Sequence, residues 1–186
     1  MPTVAAVEGR AVHNKRVMIQ YRPARPADVR AIVELTAPYS ARRILIAKEL
    51  IAYFEDVQEF IVAQDMDAEG APIVGCGALH VLWDDIAEIR TLAVAPAYIG
   101  KGIGSKIFTF LEEKAREMQL KRLFCLTFEV DFFAKHGFKE IEGTPVGTDV
   151  YQEMLRSHDD GVAEFLDLAK VKPNTLGNTR MLKELD

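Results

Sequence analysis

The chain has 186 residues, 49% of them hydrophobic, and a formal net charge of −5. That length suits one domain with a core of its own, and an acidic balance without a basic stripe argues against a nucleic-acid partner. The two cysteines, Cys76 and Cys125, lie in the apolar runs G-C-G-A-L and L-F-C-L, which marks them as buried thiols rather than a disulfide framework.

Glu8, Arg10, Lys15 and Arg16 interrupt the first sixteen residues, so the apolar core of a secretion signal is missing. Residues 1–16 read as a disordered tail and 17–186 as a single domain. No run approaches the ~18 apolar residues of a membrane span, and a cytoplasmic protein is expected. Val17 to Tyr21 predicts a strand. Pro23 to Asp28 is a turn into a helix whose apolar face is Val29, Ile32, Val33 and Leu35. Between Arg42 and Lys48, three cations (Arg42, Arg43, Lys48) fall within seven residues; together they suit an anionic substrate, while any one of them alone reads first as part of a solvated face. A helix near Glu49–Val57, a strand over Glu59–Gln64, a polar turn at Asp65–Gly70 and a strand over Pro72–Trp83 follow. Trp83–Asp85 is a hairpin turn.

The stretch from Ala87 to Leu120 reads as strand, glycine turn and helix. Ile89, Leu92, Ala93 and Val94 make an apolar segment of strand length, which Pro96 ends. Glu88 and Arg90 share one face of that strand by its two-residue period, which fits a catalytic base or a plain ion pair. Gly100, Gly102 and Gly104 follow at spacing two. From Ile103 on, Ile107, Leu111 and Met118 form one helical stripe, with Phe108, Ala115 and Leu120 beside it. Glu112 and Arg116 pair at i,i+4 on the other face. Glycine permits positive φ and close approach of a ligand, and a helix N-terminus favours an anion. Lys101 adds a charge and Ser105 a hydroxyl. The loop is a pyrophosphate cradle or a turn without a ligand. It lacks the Walker spacing, and Ile107 stands where a dinucleotide fingerprint needs its third glycine.

Arg122 to Phe128 is a nearly continuous apolar run, as in a strand buried on both faces. Glu129–His136 predicts a short helix and Phe138–Ile141 a strand. Gly143–Pro173 holds two short helical patterns, around Tyr151–Leu155 and Val162–Leu168, and Asn178–Leu182 predicts a closing strand. His80 and His136 read as structural, and no metal-ligand spacing repeats.

Ile99-Gly100-Lys101-Gly102-Ile103-Gly104 resembles the acetyl-CoA signature Q/R-x-x-G-x-G/A of the GNAT acetyltransferases, with Ile99 in place of Gln or Arg. Phe132-Phe-Ala-Lys-His-Gly-Phe138 is similar to the family's closing helix-turn. A-E-I-R-T-L-A-V resembles the G-E-[LI]-A-C-x-x-V segment of bacterial N-acetylglutamate synthases. G-C-G-A-L-H, E-I-E-G-T-P and the C-terminal G-V-A-E-F-L-D-L…V-K-P-N…G-N-T-R-M-L resemble the short, GNAT-only type of that enzyme in actinobacteria. The resemblance covers about Ile19 to Leu182.

The resemblance implies an α/β GNAT fold, with a mixed, mostly antiparallel sheet splayed at its centre and flanked by helices. It implies acetyl transfer from acetyl-CoA to the α-amine of L-glutamate, the first step of arginine synthesis, directly within a ternary complex and without a metal. Another acceptor amine, such as glutamine or a protein lysine, and a non-catalytic acetyl-CoA-binding module are the alternatives. Glu88 is the implied base. The general acid is open: Phe133 replaces the usual Tyr, Glu129 stands where the synthases carry Ser, and Thr127 offers a hydroxyl nearby. A backbone N–H near Leu92 or Ala93 would hold the oxyanion, Leu92 to Val94 would pair with the pantetheine arm, and Ile99 to Ser105, with Lys101 and Ile103, would hold the pyrophosphate. Arg42, Arg43, Lys48, Arg90 and Arg180 are candidates for the substrate carboxylates. The implied partners are small molecules, with monomer and homodimer both open.

Overall fold

The computed structural model of the protein describes residues 17–168 and 177–186. The expected tail, residues 1–16, and the V-K-P-N part of the C-terminal section lie outside the described residues. In chain order the elements are β1 (Ile19–Pro23), α1 (Val29–Ala41), α2 (Leu50–Glu55), β2 (Phe60–Asp65), β3 (Ile73–Val81), β4 (Ile86–Val94), α3 (Ile103–Glu117) and β5 (Arg122–Thr127). They continue with α4 (Val130–Lys135), β6 (Lys139–Glu140), α5 (Thr148–Met154), α6 (Asp160–Phe165) and β7 (Thr179–Glu184). The strands form one seven-stranded sheet in the order β1-β2-β3-β4-β5-β7-β6. Only β4 and β5 run parallel; the other neighbours are antiparallel.

Helices cover both faces. Ile103, Ile107, Phe108 and Leu111 of α3 pack on Ala63, Leu79, Ala87, Ile89 and Leu123. Each such side chain removed from water stabilises the fold by roughly 1.5–3 kcal/mol. On the opposite face, Val29 and Ile32 of α1 and Tyr53 of α2 cover Val62, Cys76, Ala78 and Ala93. Further along that face, Met154, Val162 and Phe165 of α5 and α6 cover Ile86 and Phe124.

Several boundaries differ from the sequence reading. β1 begins at Ile19 rather than Val17, because its register runs from Ile19↔Asp65 to Pro23↔Ile61 and β2 ends at Asp65. Met118 is 48% exposed instead of joining the apolar stripe. The helix has ended at Glu117, and Gln119 turns the chain with φ +60°. β5 stops at Thr127, leaving Phe128 exposed rather than buried on both faces. The strand expected over Phe138–Ile141 shortens to β6.

Two features position the site. β4 pairs with β5 only from Ile86↔Arg122 to Glu88↔Phe124, although β4 continues to Val94 and β5 to Thr127. β7 holds the far edge of β5 along its whole length, Arg122↔Glu184 to Thr127↔Thr179, so the sheet splays open between β4 and β5. The second feature is a bulge. Ala78 pairs with Arg90 but Cys76 with Ala93, so β4 carries one residue more than β3 over that span. Thr91, inside the bulge, takes φ +54°, a conformation that a β-branched side chain disfavours. Among the described residues, no helix is long and apolar enough to cross a membrane.

Candidate active site

The splay opens a cleft of about 500 Å³. Leu92, Ala93 and Val94 of β4 form one wall, and Leu126 and Thr127 of β5 face them. Ile99, Gly100, Gly102, Ile103, Gly104 and Ser105 line its mouth, with Glu129 and Phe132 beside them. Gly100 and Gly102 have φ +81° and +78°. A Cβ at either would meet nothing within 4 Å, so glycine serves the backbone conformation here, not close packing. Gly102 caps α3, and the first helical bond runs from Lys106 N–H to Gly102 O. The N–H groups of Ile103, Gly104 and Ser105 precede that bond and have no acceptor within the helix. With the positive end of the helix dipole, they suit a phosphate. Lys101 does not itself line the cleft, but its Nζ lies 4.6 Å from the centre of the ring of Tyr98, which does, a cation–π contact.

The bulge decides which amides face the gap. Before it, Ile86 O accepts from Leu82 N–H on the β3 side; after it, Ala95 N–H donates to Val74 O on that side. By alternation, the backbones of Leu92 and Val94 turn to the gap that β5 has left. The Tyr39 hydroxyl donates to Val94 O at 2.5 Å, and Tyr39 also lines the cleft.

A smaller chamber of about 60 Å³ adjoins the cleft, sharing Ile44, Leu45, Ile89, Thr91 and Leu126 with it. Glu88, Arg90 and Lys48 line this chamber. Glu88 and Arg90 do share a face: Arg90 Nε donates to Glu88 Oε2 at 2.6 Å. The pair sits in the middle of the sheet, with side chains 4% and 6% exposed. Arg90 Nη2 also lies 2.8 Å from Asp159 Oδ1. Asp159 caps α6 by accepting from Val162 N–H at 2.7 Å. A Cβ on Gly161 would stand 2.5 Å from Arg90 Cζ, so the guanidinium lies flat on that glycine. Burial opposes the charge of Arg90, but the charges of Glu88 and Asp159 outweigh it and raise its pKa. Burial likewise pushes the Asp159 carboxyl up, and the Arg90 charge and Val162 N–H hold it below its ordinary value. Arg90 Nη1 is buried without a hydrogen-bond partner among the described residues.

The remaining expected residues scatter. Lys48 lines the chamber but is ion-paired to Asp56 at 3.0 Å. Arg42 is exposed, stacked 5.3 Å from the Tyr39 ring centre and donating to Pro38 O. Arg43 is exposed with φ +58°. Arg180 donates to the carbonyls of Gly143, Glu164 and Phe165. It closes the C-terminal end of α6, where a cation is favoured, and lies over the Phe124 ring. Thr127 Oγ1 accepts from Glu129 N–H at 2.8 Å, which leaves its hydroxyl proton available to the cleft. Phe133 packs edge-on to Phe108 and Phe138, and His136 joins that cluster 4.5 Å from Phe108. Both cysteines are free and fully buried. Burial pushes the Cys76 thiol up to about 12; burial and then the Glu88 charge push Cys125 up as well. Among the described residues, no group of three or more His, Cys, Asp or Glu is placed to hold a metal. Tyr39, Thr91 and Asp159 are site residues that the sequence reading missed. Asp159 had one local signal, a helix-capping position before D-G-V-A-E-F, which says nothing of Arg90.

The profile of the "Acetyltransferase (GNAT) family" matches residues 28–138. The chain is 59% identical over 161 residues to the amino-acid acetyltransferase of Mycobacterium tuberculosis, spanning 87% of this chain and 91% of that relative. It is 33% identical over 122 residues to the amino-acid acetyltransferase of Pseudomonas aeruginosa, 64% of this chain but only 27% of that longer relative. Among solved structures, Rv2747 from Mycobacterium tuberculosis, in complex with CoA, superposes with a TM-score of 0.86 at 57% identity, over 90% of this chain and 99% of that one. N-acetylglutamate synthase from Neisseria gonorrhoeae, complexed with coenzyme A and N-acetyl-glutamate, superposes with a TM-score of 0.71 over 92% of this chain and 36% of that one. Its identity is 21%, a likeness of fold. The matched span runs through the bulged strand, the glycine loop and α3 that build the cleft, and the chain belongs to the GNAT acetyltransferase family.

Proposed function

We propose that the protein transfers the acetyl group of acetyl-CoA to the α-amine of L-glutamate, the first step of arginine synthesis, in the cytoplasm. The observation that carries the reading is the position of Glu88: a buried carboxylate on the wall of a small chamber that shares five lining residues with the cleft. The name of the Mycobacterium tuberculosis relative supports an amino-acid acceptor. In this reading, the pyrophosphate sits on the N–H groups of Ile103 to Ser105, and the pantetheine arm adds along the free edge of Leu92 and Val94. The acceptor ammonium loses a proton to Glu88, and the free amine attacks the thioester carbon. The Leu92 N–H, turned to the gap by the bulge, donates to the oxyanion. Collapse expels CoA as thiolate, a tolerable leaving group with a thiol pKa near ~8.5; the second proton, which the nitrogen sheds on becoming an amide, passes to that thiolate, with the Thr127 hydroxyl as the candidate relay that gives one proton and takes the other. Lys48 and Arg90 Nη1 are the cations available to a substrate carboxylate. Transfer is direct, because neither thiol lines the cleft and burial keeps both protonated.

Thiol release from acetyl-CoA, with L-glutamate beside L-glutamine, tests the reading. Turnover with glutamate is expected. Glu88→Gln should lower kcat by about 10²–10⁴-fold, the usual share of a general base, while acetyl-CoA still raises the melting temperature. Turnover that survives the substitution would remove Glu88 as the base. Stabilisation by acetyl-CoA without thiol release to either amino acid would overturn the amino-acid acceptor and leave a protein lysine or a binding role.

A further inference from the structure

We propose that His80, oriented by Glu59, carries the proton that Glu88 abstracts away to solvent, so that the base is reset after each turnover. This rests on the reading of Glu88 as the base. An acceptor ammonium and a thioester yield an amide, a thiol and one proton, so a carboxylate that takes the proton must lose it before the next cycle. Glu88 is only 4% exposed. Its bonded neighbour Arg90 is a guanidinium and accepts no proton.

Across the strand the situation differs. The register sets His80 of β3 directly opposite Glu88. Opposed residues of an antiparallel pair point to the same face with Cβ atoms about 5 Å apart, within reach directly or across one water. His80 does not line the chamber, so the acceptor and the ring do not compete for the same space. His80 Nδ1 lies 2.7 Å from Glu59 Oε1, at the end of the 3-10 turn Val57–Glu59. A carboxylate on Nδ1 fixes the tautomer with its proton there and leaves Nε2 to accept. The second oxygen of Glu59 is buried with no hydrogen-bond partner among the described residues. Among the described residues, His80 is therefore the one hydrogen-bond partner of that carboxylate, an arrangement that orients a ring more than it anchors a loop. The His80 and Glu59 side chains are 19% and 25% exposed, so the dyad is more open to water than Glu88.

The charged neighbours are consistent with a passing cation. Glu88 and Arg90 face His80 from β4, Glu59 faces it from the turn, and the Asp159 carboxyl at the start of α6 also feels its charge. Lys114 of α3 faces Glu59 from the other side. The step is a simple transfer. The O–H bond of the Glu88 carboxyl breaks, an N–H bond forms at His80 Nε2, and the imidazolium loses that proton to water or buffer. The carboxylate and the neutral imidazole are restored.

The test uses the full chain, with thiol release measured for the parent, His80→Gln, His80→Ala and Glu59→Gln at saturating acetyl-CoA. His80→Gln keeps a group that can bond Glu59 and is expected to keep the parent's melting temperature and KM for acetyl-CoA, while kcat falls on the order of tenfold. Added imidazole should restore kcat of His80→Ala in proportion to its concentration and leave the parent unchanged. Should His80→Ala fail to fold, the same rescue is read as dependence of kcat for His80→Gln on buffer concentration. Glu59→Gln should lower kcat in the same direction with KM unchanged. A His80→Gln kcat within about twofold of the parent, or a loss that neither imidazole nor buffer restores, would overturn the proposal and leave the dyad a strut. The readouts separate two failures. A parent without turnover removes the base and the relay together, whereas an active parent with an unaffected His80→Gln removes only the relay.

Discussion

Arg90 carries two carboxylates at once, and they come from opposite ends of the chain's use of it. Glu88 stands two positions away on the same strand, while Asp159 belongs to the start of α6. The first pairing was legible in the sequence, because a two-residue period puts both side chains on one face. The second was not: no local pattern connects a strand arginine to a helix cap far along the chain. The same limit applies to the other cations. Arg42, Arg43 and Arg180 are positive wherever they sit, but only the fold shows Arg180 holding the end of α6 while the other two face solvent. Removing the shared cation leaves both carboxylates without it, and losing one partner of a buried pair usually costs more than the pair contributes. Arg90→Met is therefore expected to lower the unfolding free energy by about 3–5 kcal/mol in urea titrations. A loss below about 1 kcal/mol, the range of surface pairs, would contradict the buried network.

At the scale of elements, the strand, glycine loop and helix that build the cleft could be read from the sequence. Their signals are local: alternation, Pro96 as a stop, glycines at spacing two and a helical stripe. The bulge could not be read. Thr91 is a β-branched residue at positive φ, the opposite of what its type predicts, and it is held there by β3 pairing on both sides. A non-local contact overrode the local preference at the place where amides must turn to the gap. The splay between β4 and β5 is similar in kind, since it depends on β7 binding the far edge of β5. The loop itself gives a prediction. Gly102 holds φ +78° with open space where a Cβ would stand, so a side chain there is penalised by the backbone and not by a clash. Gly102→Val should cost about 1–2 kcal/mol of stability. It should also raise KM for acetyl-CoA about tenfold, the equivalent of 1.4 kcal/mol, and leave KM for glutamate near the parent value. Equal effects on both KM values would argue that the loop does not hold the cofactor end of the cleft.

Seen whole, the molecule is one sheet opened along one seam, with a thiol on each face of it. Cys76 packs under α1, Cys125 packs under α3, and both are 0% exposed. Cys125 lies on β5 just past the last β4–β5 pair, Glu88↔Phe124. If the seam breathed locally, Cys125 alone would meet solvent; if the halves separate only on global unfolding, both thiols would react together. The continuous core under α3 favours the second outcome, since that helix contacts both sides of the seam, through Ala87 and Ile89 on one side and Leu123 on the other. A thiol reagent should therefore modify Cys76 and Cys125 at the same slow rate, set by unfolding. A non-thiol acetyl-CoA analogue at a hundredfold its Kd should stabilise the folded state by about 2.7 kcal/mol and slow both modifications about a hundredfold. Mass analysis of each site reads the two rates separately. Faster labelling of Cys125 would show that the seam opens on its own, and an acetyl group found on either cysteine during turnover would contradict direct transfer.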